Sequence, residues 1–313
     1  LRYMNTHKEQ FLRIFDSIDF NSIKDHPNIL IAARFWEEDR YCAAKTCYKF
    51  MRYIDDMIDD YKAANKVIGQ AEKEIFLSNV EKWMNTIIRS ADCNPEKQEL
   101  IHTIKRFLIP SWPIEEFAKS MIYDINNDGF ATLQSFLDYS QGASVAPASI
   151  FVHLNGLRKI NGVFQMPAFD VREAATPCAI FSYLVHIIRD FQKDQLNNLN
   201  YFADDITKHF SLSRNDLREV AYGHPFSENF RSMMGTYYSL ADKYRQETYD
   251  IIEKIRHLHE PRYQLSLEII FDLYLMVFER IDITNGSFKT PELNPTTEET
   301  RERVFQCIQK FCN

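Results

Sequence analysis

The sequence predicts a single all-α domain spanning residues 1–313. Glycine is scarce, 8 in 313 residues, and proline modest at 11. A Rossmann or all-β chain of this length needs more glycine turns. Apolar residues recur at helical spacing along most of the chain, and no convincing strand appears. No linker rich in Gly, Pro or Ser, no low-complexity segment and no fixed-period repeat divides the sequence. A chain of this length can bury a substantial core.

Taken in order, residues 5–17 form a short amphipathic helix, and residues 38–65 form a long one bearing an acidic cluster. Residues 71–90 place Phe76, Val80, Trp83 and Ile87 on one face. Helices over 96–108 and 113–127 are separated by Pro110-Ser111-Trp112-Pro113, a breaker. Residues 132–157 start at Thr132, an N-cap, and run through the small side chains of Gly142 to Ser149. Small residues there let a ligand or a neighbouring helix approach closely, and Pro147 should kink the helix. Residues 170–196 carry a second acidic cluster, and 197–210 read as a loop. Helices over 212–222, 226–256, 261–282 and 296–311 complete the chain.

Bulk chemistry narrows the function. A net charge of −7 argues against a general nucleic-acid binder, which shows a basic face, and against electrostatic attachment to an anionic membrane. An anionic substrate is compatible only where metal ions or a few arginines reverse the sign locally. The 24 phenylalanines and 16 tyrosines suit either a bulky core or an aromatic-lined pocket for a long apolar ligand. Cys42, Cys47, Cys93, Cys178, Cys307 and Cys312 form no CxxC pair and read as free thiols. No apolar run has the length of a membrane span and no signal-peptide core is seen, so the expected location is cytoplasmic and soluble.

The chemistry-bearing residues fall in two clusters. The first runs from Tyr48 to Asp60, and the i, i+4, i+7, i+11 stripe holds Tyr48, Arg52, Asp55 and Asp59, with Asp56 adjacent. The second runs from His186 to Asp194. Its stripe holds Tyr183, His186 or Ile187, Asp190 and Asp194, with Arg189 beside them. Aspartates one helical turn apart repel unless a cation is bound. Mg²⁺ takes one or two carboxylates plus phosphate oxygens, so two such faces turned toward each other suit a metal-bound diphosphate. Signatures of other enzyme classes are missing: GxGxxG, the P-loop, HExxH and GxSxG. Asp124 to Gly129 looks like a Ca²⁺ loop only in part, since Ser135 and not an acid stands at position 12, so it reads as a turn.

On these residues the chain resembles the squalene/phytoene synthase family over about residues 25–285. Tyr48, Phe50, Arg52, Asp55, Asp56 and Asp59 match its first signature, with Met51 in place of Cys. Ile187, Ile188, Arg189, Asp190 and Asp194 match the second, and Tyr201-Phe202 the segment after it. Tyr139 to Ala148 is loosely similar to the central segment, and Tyr274, Val277, Phe278 and Ile281 match the C-terminal pattern. Ser144 to Pro147 is loosely similar to the hydroxysqualene synthase branch.

The resemblance implies an isoprenoid-synthase-type helical bundle around a central cavity. It further implies two or three Mg²⁺ ions on Asp55, Asp56, Asp59, Asp190 and Asp194. Of these, Asp55, Asp59, Asp190 and Asp194, together with Tyr139, would be catalytic. Tyr48, Arg52, Tyr183, His186, Arg189 and Tyr201 would bind substrate. The implied substrate is a prenyl diphosphate (farnesyl, geranylgeranyl or presqualene diphosphate). Its diphosphate would leave to give an allylic carbocation on the way to a C30 or C40 isoprenoid. Peripheral membrane contact would serve product release. NADPH use stays open, since no dinucleotide fingerprint is present.

The departures are specific. His186 stands where the family has a metal-binding Asn, Tyr183 where it has Gln, and residues 196–200 hold no basic side chain. Imidazole is a poorer Mg²⁺ ligand than oxygen. Two other readings therefore stand beside the synthase: a class I terpene cyclase or diphosphate hydrolase on the same fold, and a non-catalytic lipid-binding or assembly member.

Overall fold

Local chemistry sets where the helices begin. Thr132, Ser213 and Thr296 each cap a helix with a reciprocal capping box. Pro113 and Pro261 sit in first turns, where a missing N–H costs nothing. The computed structural model describes residues 2–23, 28–64, 67–89 and 95–313. Helices α1 (Arg2–Asp16) and α2 (Asn28–Ala33) lead into α3 (Glu38–Ala64), α4 (Gln70–Arg89), α5 (Pro95–Arg106), α6 (Trp112–Asn126) and α7 (Leu133–Ser140). A π turn over Gln141–Val145 joins α7 to α8 (Ala146–Gly156), and a hairpin of β1 (Arg158–Ile160) and β2 (Val163–Gln165) follows. Then come α9 (Val171–Arg189), α10 (Phe191–Leu196), α11 (Asp204–His209) and α12 (Arg214–Ala221). Last are α13 (Glu228–Ile255), α14 (Pro261–Phe278), α15 (Thr290–Leu293) and α16 (Thr297–Cys312).

The fold is all-α, as the periodicity predicts. Two apolar clusters hold it together. One gathers α1 to α6, α8, α14 and α16; the other gathers α7, α9, α13 and the end of α14. Ala148 and Tyr274 pack against both, so the clusters are continuous. Phe76, Val80, Trp83 and Ile87 are buried as expected. Among the described residues, no helix is long and apolar enough to cross a membrane. Cys42, Cys47, Cys178, Cys307 and Cys312 are free thiols, and Cys93 lies outside the described residues.

Four expectations need correction. First, the chain does contain strands. Asn161 (φ 51°) and Gly162 (φ 79°) make a tight turn that pairs Ile160 with Val163. Three-residue strands are too short to show alternation, but the Asn-Gly pair was the available signal.

Second, residues 132–157 are not one helix kinked at Pro147. The irregularity is the π turn, where Ala146 N–H donates to Gln141 O, and Pro147 lies in the first turn of α8. The close approach expected of the small residues is to a helix: a Cβ on Gly142 would lie 2.1 Å from Glu116 O of α6. Ser120 Oγ donates to Tyr139 O at 2.8 Å, which ties α6 to the end of α7.

Third, residues 170–196 break at Asp190 (φ −94°, ψ 7°) into α9 and α10. Fourth, the loop read over 197–210 contains α11, and the short α2 and α15 were not anticipated. One or two turns are too few to establish a period.

Candidate active site

The buried stripe of α3 fixes the first acidic face. Met51, Ile54 and Ile58 are buried in the core, which turns Tyr48, Arg52, Asp55 and Asp59 to a common side. Arg52 Nη1 donates to Asp55 Oδ2 at 2.6 Å, and its Nη2 binds Asp56. Asp56 is half exposed at the rim. Tyr48 lies within electrostatic reach of Arg52 and of Tyr274 on α14.

The second face is organised around Asp190. Arg189 grips it with two bonds, Nε to Oδ1 at 2.8 Å and Nη2 to Oδ2 at 2.9 Å, and both residues are buried. His186 Nε2 lies 2.7 Å from Asp190 Oδ2. Ile187 is buried in the core, so of the two alternatives at this level it is His186 that faces the site. Burial alone would raise the Asp190 pKa, but Arg189 and His186 overcome it and hold the carboxyl well below the usual range. Desolvation and the Arg189 charge push the His186 imidazole down, although its side chain is 46% exposed. The Arg189 donors expected to meet a diphosphate are thus engaged with Asp190.

The two faces meet. Burial, with Asp55, Asp124 and Asp194 added to it, raises the Asp59 pKa well above the ordinary value. Burial and Asp190 do the same to Asp194. Asp55 is pushed up to about 6 by burial, despite Arg52. Asn198 Nδ2 donates to Ala63 O at 3.4 Å and so links the chain beyond α10 to the end of α3.

The sequence reading missed Asp124 and Lys62. Asp124 belongs to α6 and not to the turn after it. It lies seven residues beyond Phe117 on the stripe of Ser120 and Met121, and an acid on a buried stripe was the legible signal. Its carboxylate accepts from Tyr139 Oη, and Lys62 Nζ reaches it at 3.3 Å and Asn127 O at 3.2 Å. Burial raises its pKa against the pull of Lys62.

Aromatic rings back this acid wall. Tyr139 and Tyr183 lie 6.4 Å apart, Tyr183 and Tyr201 6.0 Å, and Phe136 stacks on Tyr183 at 5.4 Å. Burial, reinforced by the aspartates, raises all three tyrosine pKa values, so the hydroxyls stay protonated. Toward the start of α3 the interior turns apolar. A narrow cavity there is lined by Cys47, Phe50, Met51, Trp83, Ile114 and Ile150, among others.

Among the described residues, no three His, Cys, Asp or Glu side chains close into a ready-made cage. Mg²⁺ does not need one, because it keeps waters and takes phosphate oxygens. An all-oxygen set of mutually repelling carboxylates, Asp55, Asp59, Asp124 and Asp194, fits such a hard cation.

The family model for squalene/phytoene synthase matches residues 24–297. The chain belongs to the squalene/phytoene synthase family. Members are prenyltransferase-type synthases that act on prenyl diphosphates, and the matched span contains both acidic faces. Three solved structures share the isoprenoid synthase fold. A dehydrosqualene synthase in complex with ligand aligns at TM-score 0.68 and 13% identity, covering 97% of this chain and 96% of its own. Squalene synthase HpnC from Alicyclobacillus acidocaldarius aligns at 0.61 and 14%, covering 87% and 91%. YisP from Bacillus subtilis subsp. subtilis strain 168 aligns at 0.58 and 13%, covering 97% and 98%. No curated protein matches the sequence significantly.

Proposed function

We propose that this chain is a Mg²⁺-dependent cytoplasmic synthase of squalene/phytoene type, which ionises a prenyl diphosphate and forms a C30 or C40 isoprenoid. One observation carries the reading: Asp59 shares one electrostatic field with Asp55, Asp124 and Asp194, so carboxylates of three helices converge. Asp55, Asp59 and Asp194 would hold the metal, with Asp190 fixed beside them by Arg189. When bound, Mg²⁺ neutralises charge building on the departing diphosphate. Arg52, at the rim, is placed to exchange its aspartates for phosphate oxygens.

As the allylic C–O bond breaks, the electron pair leaves with diphosphate and a carbocation remains. The neutral rings of Tyr139, Tyr183 and Tyr201 present π faces that stabilise positive charge. Tyr139, hydrogen-bonded to Asp124, is held in place for this role. A prenyl tail would need the apolar side chains around Cys47 and Met51 to move apart, since the cavity they leave is about 10 Å³.

A second reading has one specific support. The segment 196–200 offers no cation to a second diphosphate. A reaction on a single substrate, ending in water capture or proton loss, would need none. The deciding experiment incubates the protein with farnesyl, geranylgeranyl and presqualene diphosphates in turn, with Mg²⁺ and with or without NADPH. A C30 or C40 product supports the synthase; a C15 or C20 alcohol or olefin supports the single-substrate reaction. Failure to bind a non-hydrolysable prenyl diphosphate in the presence of Mg²⁺ would leave the non-catalytic reading.

A further inference from the structure

Although the net charge opposes electrostatic attachment to an anionic membrane, one surface combines large exposed apolar side chains with two cations. Residues 157–169 hold two cations, Arg158 and Lys159, and no acid, while the whole chain carries −7. Strand alternation puts Lys159 and Phe164 on one face of the hairpin and Arg158, Ile160, Val163 and Gln165 on the other. Phe164 faces inward and packs on Phe107, ring centroids 5.0 Å apart. Ile160 and Val163 therefore stand outward, 50% and 60% exposed, with Met166 at 48%. A cluster of large exposed apolar side chains marks a contact surface. Neither cation pairs with a carboxylate among the described residues. Arg158 Nε donates to Met166 O at 3.3 Å, and Lys159 Nζ lies 5.5 Å over the Phe164 ring.

The position of the hairpin matters as much as its chemistry. Arg40, near the start of α3, lies 5.4 Å over Phe164. Asp55 follows fifteen residues later, about 22 Å along the helix. The apolar cavity at Cys47 and Met51 lies between these levels. Phe107, under the hairpin, is flanked in the chain by the cavity-lining residues Ile104 and Ile109. Acid wall, apolar cavity and hairpin thus succeed one another along α3.

We propose that the hairpin docks this protein on an anionic lipid bilayer. Ile160, Val163 and Met166 enter the boundary between headgroups and acyl chains. Arg158, on the face of Ile160 and Val163, meets the anionic headgroups, and the long exposed side chain of Lys159 reaches them from the opposite face. The docked orientation brings the apolar end of the cavity to the bilayer, where a hydrocarbon product dissolves. That last consequence rests on the proposed prenyl chemistry; the docking does not.

The test needs no substrate, so its outcome is separate from that of the enzymatic reading. The full chain is floated with vesicles of phosphatidylcholine alone, and with vesicles of phosphatidylcholine and phosphatidylglycerol in equal parts. Wild type should float with the mixed vesicles and poorly with the neutral ones. The Ile160→Ser/Val163→Ser and Arg158→Ala/Lys159→Ala variants should each lose at least about tenfold in partitioning. Both should unfold thermally with wild type, since the altered side chains are exposed. Wild type that stays unbound, that floats equally with both vesicles, or that floats no better than either variant overturns the proposal. So does self-association without flotation that the serine variant abolishes, which would assign the patch to a second copy.

Discussion

At Asp124 a carboxylate, an ammonium and a tyrosine hydroxyl meet in a largely enclosed space. The Lys62 side chain is 9% exposed and that of Asp124 13%. Removing the cation leaves Asp124 uncompensated beside Asp55 and Asp59, so Lys62→Met should cost about 3 kcal/mol, measured by urea unfolding. The same acids set a pH dependence. Asp55 has a folded pKa of about 6 against an ordinary 3.8. Its contribution to stability is full below the ordinary value and is lost as pH rises through the folded one. Asp190 is held low, so its contribution is present above the ordinary carboxylate pKa and is lost only in stronger acid. Between about pH 4 and 7 the Mg²⁺-free protein should therefore lose Tm as pH rises, and Asp55→Asn should flatten that slope. Thermal melts across this range check both statements. At this scale the paired aspartates were legible because their spacing is local. Lys62 and Asp124 were not, because their meeting depends on how α3 and α6 pack. The engagement of Arg189 with Asp190 was also hidden, since adjacency in sequence does not fix a side-chain rotamer.

Among the elements, the π turn at 141–145 is what brings α6 against the helix that carries Tyr139. It depends on a residue with no side chain at Gly142, where a Cβ would lie 2.1 Å from Glu116 O and 2.2 Å from Ser120 Oγ. Gly142→Ala should destabilise by about 2 kcal/mol or more, read from the urea midpoint at constant m. A variant of unchanged stability would mean that the two helices do not approach this closely. The small-residue run was visible in the sequence, but whether it admits a ligand or a helix was not, because composition does not name the neighbour. The break at Asp190 was similarly hidden: residues 170–196 keep an unbroken apolar period while the backbone shifts at one residue. The hairpin shows the opposite failure, a local turn signal at Asn161-Gly162 outweighed by the helical character of the surrounding chain.

For the whole molecule, the all-α fold was readable because long periodic helices dominate the chain. The convergence of α3, α6, α9 and α10 on one acid wall is a property of the assembled bundle. It also implies a stability linkage: a cation with a diphosphate that binds only the folded state must raise the Tm as its concentration rises. The most direct test of that convergence is Mg²⁺-dependent diphosphate release from farnesyl and presqualene diphosphates by wild type, Asp59→Asn and Asp194→Asn. Release should require Mg²⁺ and fall at least about 100-fold in each variant, since metal stabilisation of the leaving group is worth several kcal/mol. Release that persists without Mg²⁺, or that survives intact in both variants, would contradict a shared metal–diphosphate site between the two acidic faces.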